Sequence, residues 1–192
     1  MNTKKLFILE IVGIPFIYLC ASLLHFVYDL SGGSALSILF GSVNESVWEH
    51  IKIFAVPFVL WSVIELLWTH PPFKKFISAK TFSLYFLALS IIVFFYTYTF
   101  FTKEPILIVD LISSFLITIL TQYISYTLIT KENHISEYFS VALMLLIAFF
   151  FMFFSFTMFP PKIDLFKDPE TSMYGIIGKH IDKGAVFLDK TS

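Results

Sequence analysis

Five long apolar runs separated by short polar turns constrain this chain more than any other feature. They lie near residues 6–28, 47–68, 82–101, 106–129 and 138–159. Each approaches the about 20 residues that an α-helix needs to cross some 30 Å of hydrocarbon. In hydrocarbon every backbone N–H and C=O must find its partner within the segment, so runs of this length predict helices. Composition agrees with that medium. Of the 192 residues, 57% are apolar and only 14% are charged, against roughly 25% charged in a soluble domain. A sphere of this size in water could not be covered with so little polar surface. The fold class is therefore all-α, an integral membrane helical bundle of about five transmembrane helices, and its environment is a lipid bilayer.

Helix-breaking residues mark the boundaries. Lys4 and Lys5 precede the first run, which exceeds the about 7–15 residues of a cleaved signal h-region and reads as a retained span. Pro15 predicts a kink within it, and Gly32-Gly33 a left-handed stop after it. Leu36–Phe40 is too short to span and predicts a short interfacial helix or loop. His70-Pro71-Pro72 ends the second run, and the lysine-rich stretch from Pro71 to Lys80 reads as a connection. Thr102–Pro105 and Lys131–His134 make two tight turns, and Pro160-Pro161 ends the fifth run. Residues 1–161 thus form the bundle and 162–192 a polar C-terminal tail. The Pro, Asp and aromatic residues at the start of that tail predict an ordered strap folded back over the bundle, carrying Asp164 and Asp168 toward it. The last dozen residues read as well as a solvated end.

Charge narrows partners and orientation. A net charge of −1 with all basic residues lysine argues against nucleic acid, which requires a basic patch to displace counterions. Without arginine there is no planar fork for bidentate phosphate recognition. The lone Cys20 cannot form an intrachain disulfide and reads as a packed or lipid-facing thiol. With the N-terminus cytoplasmic, Lys4, Lys5, Lys74, Lys75, Lys80 and Lys131 fall inside, against Lys52, Lys103, Lys162 and Lys167 outside. The positive-inside rule then predicts a cytoplasmic N-terminus and an extracytoplasmic tail in a cell (inner) membrane.

Ionisable residues in so apolar a chain are functional hypotheses by default, and most collect at one level. His25 and Asp29 are four residues apart near the end of span one, hence on one helix face. Glu45 and Glu49 repeat that spacing at the start of span two, beside His50, and Asp110 lies about one turn into span four. Under the predicted topology all six lie toward the outer leaflet, a candidate pocket of His25, Asp29, Glu45, Glu49, His50 and Asp110. Imidazoles with carboxylates suit a divalent transition metal such as Zn, Mn or Fe, or general acid–base work. A structural reading competes. Ser42-x-x-Glu45 and Ser46-x-x-Glu49 both have the capping-box spacing, acids gain at a helix N-terminus, and Glu49 can pair with Lys52. Elsewhere Glu10 reads as snorkelling to the surface or pairing with Lys4 or Lys5, and Glu65 as an interfacial or inter-helix contact rather than a relay.

The segments His25-Phe26-Val27-Tyr28-Asp29-Leu30-Ser31-Gly32 and Val43-Asn44-Glu45-Ser46-Val47-Trp48-Glu49-His50-Ile51-Lys52 resemble a family of small bacterial multipass membrane proteins of unknown function, a likeness covering most of the chain. The resemblance implies an uncharacterised bacterial membrane protein and supplies no reaction. Three functions stay open: a site-bearing protein or membrane enzyme binding a metal or small polar ligand, a small transporter or transporter subunit acting with a partner or as a homo-oligomer, and a structural or assembly factor whose polar residues only cap helices.

Overall fold

The computed structural model describes residues 2–177. The last residues of the tail, with His180, lie outside the described residues. Six α-helices occur among the described residues: α1 (Thr3–Leu30), α2 (Ala35–Phe40), α3 (Val47–Thr69), α4 (Phe73–Thr102), α5 (Leu107–Thr130) and α6 (Phe139–Met158). Single 3-10 turns precede α6 at Ile135–Tyr138 and follow it at Asp164–Phe166. Five of the segments are long and apolar enough to cross a membrane, and no strand occurs among the described residues. Each crossing reverses direction, so the N-terminus and the strap after α6 lie at opposite ends of the bundle.

Helix ends follow the predicted signals. Gly32 takes φ +66°, and the Gly33 N–H closes the last turn of α1 on the Tyr28 carbonyl at 3.0 Å. Pro15 stays inside α1 without ending it. Leu36–Phe40 falls within α2, which packs on α1, α3 and α6.

The third span departs from the sequence reading. The stretch from Pro71 to Lys80 is not a connection. Pro72 caps α4, which begins at Phe73 rather than near 82. At about 1.5 Å per residue the 30 residues of this helix exceed the length needed to cross the hydrocarbon, and Lys74 in its first turn is exposed. Lys80 is buried deeper in the same helix, and charges on two neighbouring helices make that possible. Its Nζ lies 3.0 Å from Glu10 Oε1 and also contacts Glu65 Oε2. Glu10 accordingly neither snorkels nor pairs with Lys4 or Lys5, while Glu65 is the inter-helix contact that its position suggested.

The core lies where α1 and α3 meet, with α5 and α4 closing it. Ile17, Ala21, Ile51, Phe54, Phe58 and Trp61 belong to one buried cluster. Close approach of α1 to its neighbours depends on Gly13, where a Cβ would stand 2.2 Å from Gln122 Nε2 and 2.4 Å from Trp61 Nε1. Trp61 Nε1 donates to the Leu9 carbonyl at 3.0 Å, and Gln122 Nε2 to the Glu10 carbonyl at 3.2 Å. The outward faces carry exposed Leu, Ile and Phe, among them Leu23, Leu67, Phe101 and Phe151, a surface suited to lipid rather than water.

Candidate functional site

Three side chains from three backbone segments converge at the end of the bundle where the strap lies. His25 comes from the penultimate turn of α1, Glu45 from the loop before α3, and His50 from the first turn of α3. His25 Nε2 stands 3.7 Å from Glu45 Oε1, and His50 Nε2 stands 3.8 Å from Glu45 Oε2. One donor atom from each lies within 4.8 Å of the others. The two imidazoles are stacked, with centroids 5.7 Å apart and planes 28° from parallel.

Local bonding fixes each part. Ser46 caps α3, accepting the Glu49 N–H, and the Asn44 side chain accepts the Ser46 N–H at 2.8 Å. His50 Nδ1 sits 3.0 Å from the Ser46 carbonyl. A carbonyl only accepts, so Nδ1 carries a hydrogen there, and Nε2 is left facing Glu45. Metal-ligating histidines are oriented by this kind of outer bond. Glu45 is held by its backbone, whose N–H donates to Asp168 Oδ2 at 2.9 Å. Asp168 is buried, and its Oδ1 accepts the Glu170 and Thr171 N–H groups at 2.9 and 2.7 Å and the Thr171 hydroxyl at 3.0 Å. Further along the strap, Asn44 Nδ2 donates to the Gly175 carbonyl at 2.7 Å. Phe166 anchors the strap among Trp48 and Phe156, with ring centroids 5.2 and 5.1 Å away. The predicted strap exists over these residues, and its Asp168 reaches the loop that presents Glu45.

A cavity of about 710 Å³ adjoins the three donors, between α1, α3, α4, α5 and the strap. This lies within the roughly 300–1,000 Å³ of small-molecule sites. Its wall combines apolar residues, among them Phe54, Phe94 and Phe95, with a smaller polar part. His25, Glu45, His50 and Asp110 all line it. Asp110 is on the α5 side, where its Oδ1 accepts the Tyr98 hydroxyl at 2.7 Å. Glu104 and Glu170 also line the cavity. Neither was among the sequence candidates, because each sits in a polar turn that reads as solvated. A smaller cavity of about 210 Å³ lies beside it, with Glu45, Tyr96, Asp164 and Lys167 among its lining residues.

Two sequence candidates do not line the cavity. Glu49 turns away from the cavity into the protein. Its Oε2 accepts the Val43 N–H at 3.1 Å and meets Lys52 Nζ at 2.7 Å, and Lys52 donates onward to the Ile38 carbonyl at 3.1 Å. This buried pair ties the loop between α2 and α3 to α3, the Glu49–Lys52 contact that the structural reading foresaw. Asp29 is half-buried, one turn beyond His25 on α1, and is not among the residues lining the cavity. The Ser42-x-x-Glu45 capping box does not form, since Ser42 Oγ donates to the Asn44 carbonyl at 2.6 Å and the helix starts only at Val47.

The donor set suits a small divalent ion. Ligands at about 2.0–2.2 Å from Zn in tetrahedral array stand roughly 3.4 Å from one another, close to the His–Glu separations here. The three donors, two imidazoles and a carboxylate, stand beside an open cavity.

Residues 1–176 match the model of a family described as a family of unknown function (DUF6512), and the chain belongs to that family. This agrees with the resemblance seen at His25–Gly32 and Val43–Lys52. No curated protein and no solved structure matches the chain.

Proposed function

We propose that this chain is a multipass membrane protein that binds one divalent transition metal at His25, Glu45 and His50 and acts as an enzyme on a molecule held in the adjoining cavity. The observation that carries the reading is the convergence of three donors from three segments, one positioned by the Ser46 carbonyl and one by Asp168. Packing alone gives no reason for two histidines and a glutamate to meet at the mouth of a cavity. A bound ion of this class would act as a Lewis acid toward a carbonyl or phosphoryl group. The protein's own residues would orient that group. Phe54, Phe94 and Phe95 would take an apolar portion, and Asp110, Glu104 and Glu170 offer carboxylates as hydrogen-bond acceptors opposite the histidines.

The same reading sets the site at the outer face of a bacterial cell membrane. Lys52 and Lys80 are buried in ion pairs and drop out of the count. The remaining juxtamembrane lysines are Lys4, Lys5, Lys74, Lys75 and Lys131 at the N-terminal end, against Lys103, Lys162 and Lys167 at the other. That bias supports a cytoplasmic N-terminus.

The test is metal content by mass spectrometry on protein purified in mild detergent and dialysed against zinc, manganese or iron. The reading expects about one tightly held ion per chain, as in known three-ligand sites. His25→Ala, His50→Ala and Glu45→Gln should each lower its retention about tenfold or more. Protein that stays metal-free, or variants that retain as much metal as the parent, would refute it.

A further inference from the structure

A second polar centre lies in the other half of the bundle, remote from the cavity. Glu10 of α1, Glu65 of α3 and Lys80 of α4 meet there, all buried, with relative exposures of 3%, 0% and 6%. Lys80 Nζ touches both carboxylates. α5 contributes no charge at this level, only Ser125, whose hydroxyl donates to Glu10 Oε1 at 2.8 Å, and Gln122 on the Glu10 carbonyl. The rings of Phe58 and Phe76 flank the ammonium at 5.4 and 5.7 Å.

Charge and hydrogen-bond counts leave the same deficit. Two carboxylates against one ammonium make a net negative charge, which hydrocarbon tolerates poorly. Glu10 Oε2, Glu65 Oε1 and Gln122 Oε1 are buried acceptors with no donor, and each such atom is costly. A single additional O–H in this cluster removes the excess charge and supplies one of the missing donors. Two carboxyls held against one cation share such a proton as a pair rather than individually.

We propose that Glu10 and Glu65 form a binding site for one proton, shared between their carboxyls and held in register by Lys80. Uptake forms one O–H bond and neutralises the cluster. Release leaves a buried anion, so proton occupancy is coupled to the packing of α1, α3 and α4. This gives the protein a proton-linked centre that is independent of the proposed metal site.

Infrared spectroscopy of the protein in lipid nanodiscs at neutral pH tests this through the carboxylic C=O stretch, which shifts in D2O. Difference spectra against the parent remove other protonated groups. Glu10→Gln and Glu65→Gln should each lose one group's intensity, because the remaining carboxylate is then balanced by Lys80. Lys80→Met should gain the intensity of one group, since both carboxyls then hold protons. If Lys80→Met does not fold, the two near-isosteric glutamine variants still decide the matter. Unchanged intensity in both of them overturns the proposal. So does a band that is absent in sodium buffer and appears on its removal, which would assign the cluster to a metal cation.

Discussion

Replacing Asp168 with alanine removes the strap's bond to the Glu45 backbone, one of its links to the loop that presents Glu45. The carboxylate accepts four bonds at 2.7–3.0 Å, one from the Glu45 N–H and three from Glu170 and Thr171. Hydrogen bonds to a charged group are worth about 1.5–3 kcal/mol each. Three of the four, however, are local to the strap's own turn and can be exchanged for water once the strap lifts. The bond to Glu45 is the one that bears on the site. Loss of an outer partner of this kind weakens metal binding by about 10–100-fold, equivalent to about 1.4–2.8 kcal/mol. Competition titration of zinc against a chromophoric chelator, in the same detergent for parent and variant, measures the change directly. Limited proteolysis between Pro160 and Ile177 reports on strap docking in parallel. Asp168→Ala is expected to show weaker metal binding together with faster cleavage in the strap. If cleavage accelerates while zinc affinity stays at the parent value, the strap does not position Glu45 and the reasoning fails.

Other substitutions separate the site from its supports. Glu49→Gln leaves Lys52 buried without its counter-charge and should destabilise the protein by about 3–5 kcal/mol, seen as a lower thermal midpoint, while metal stoichiometry stays at the parent value. Gly13→Ala forces a methyl against Gln122 and Trp61 and should cost about 1–3 kcal/mol of overpacking, read from the same melt. Single cysteines at Lys4 and Lys162 in a Cys20→Ala background should react with an impermeant maleimide from opposite sides of the membrane, and labelling of both from one side would break the five-span topology.

How far the sequence could be read follows from which contacts are local. Span positions were legible because hydropathy, Gly32-Gly33 and the paired prolines act within a few residues. Lys80 misled because a lysine in an apolar run reads as a break, and only Glu10 and Glu65, distant in sequence, make it a helix interior. At the site, the i,i+4 spacing put Glu45 and Glu49 on one face as though both were helical. The helix starts at Val47 instead, so Glu45 belongs to a loop whose direction is set by Asp168, and Glu49 turns inward to Lys52. His25 and His50 were visible as candidates, but their meeting depends on the packing of α1 against α3, which periodicity alone does not align. The strap was legible from its composition, though not its bond to the Glu45 backbone.

If His25, Glu45 and His50 bind a single ion at the cavity mouth, two imidazoles must ligate it. X-ray absorption spectroscopy of the zinc-loaded protein tests this most directly, through the outer-shell scattering that imidazole rings produce. Binding at this site gives a shell of low coordination number with two histidines, falling to one in either His25→Ala or His50→Ala. A spectrum with no histidine scattering, or one that neither substitution alters, would contradict it.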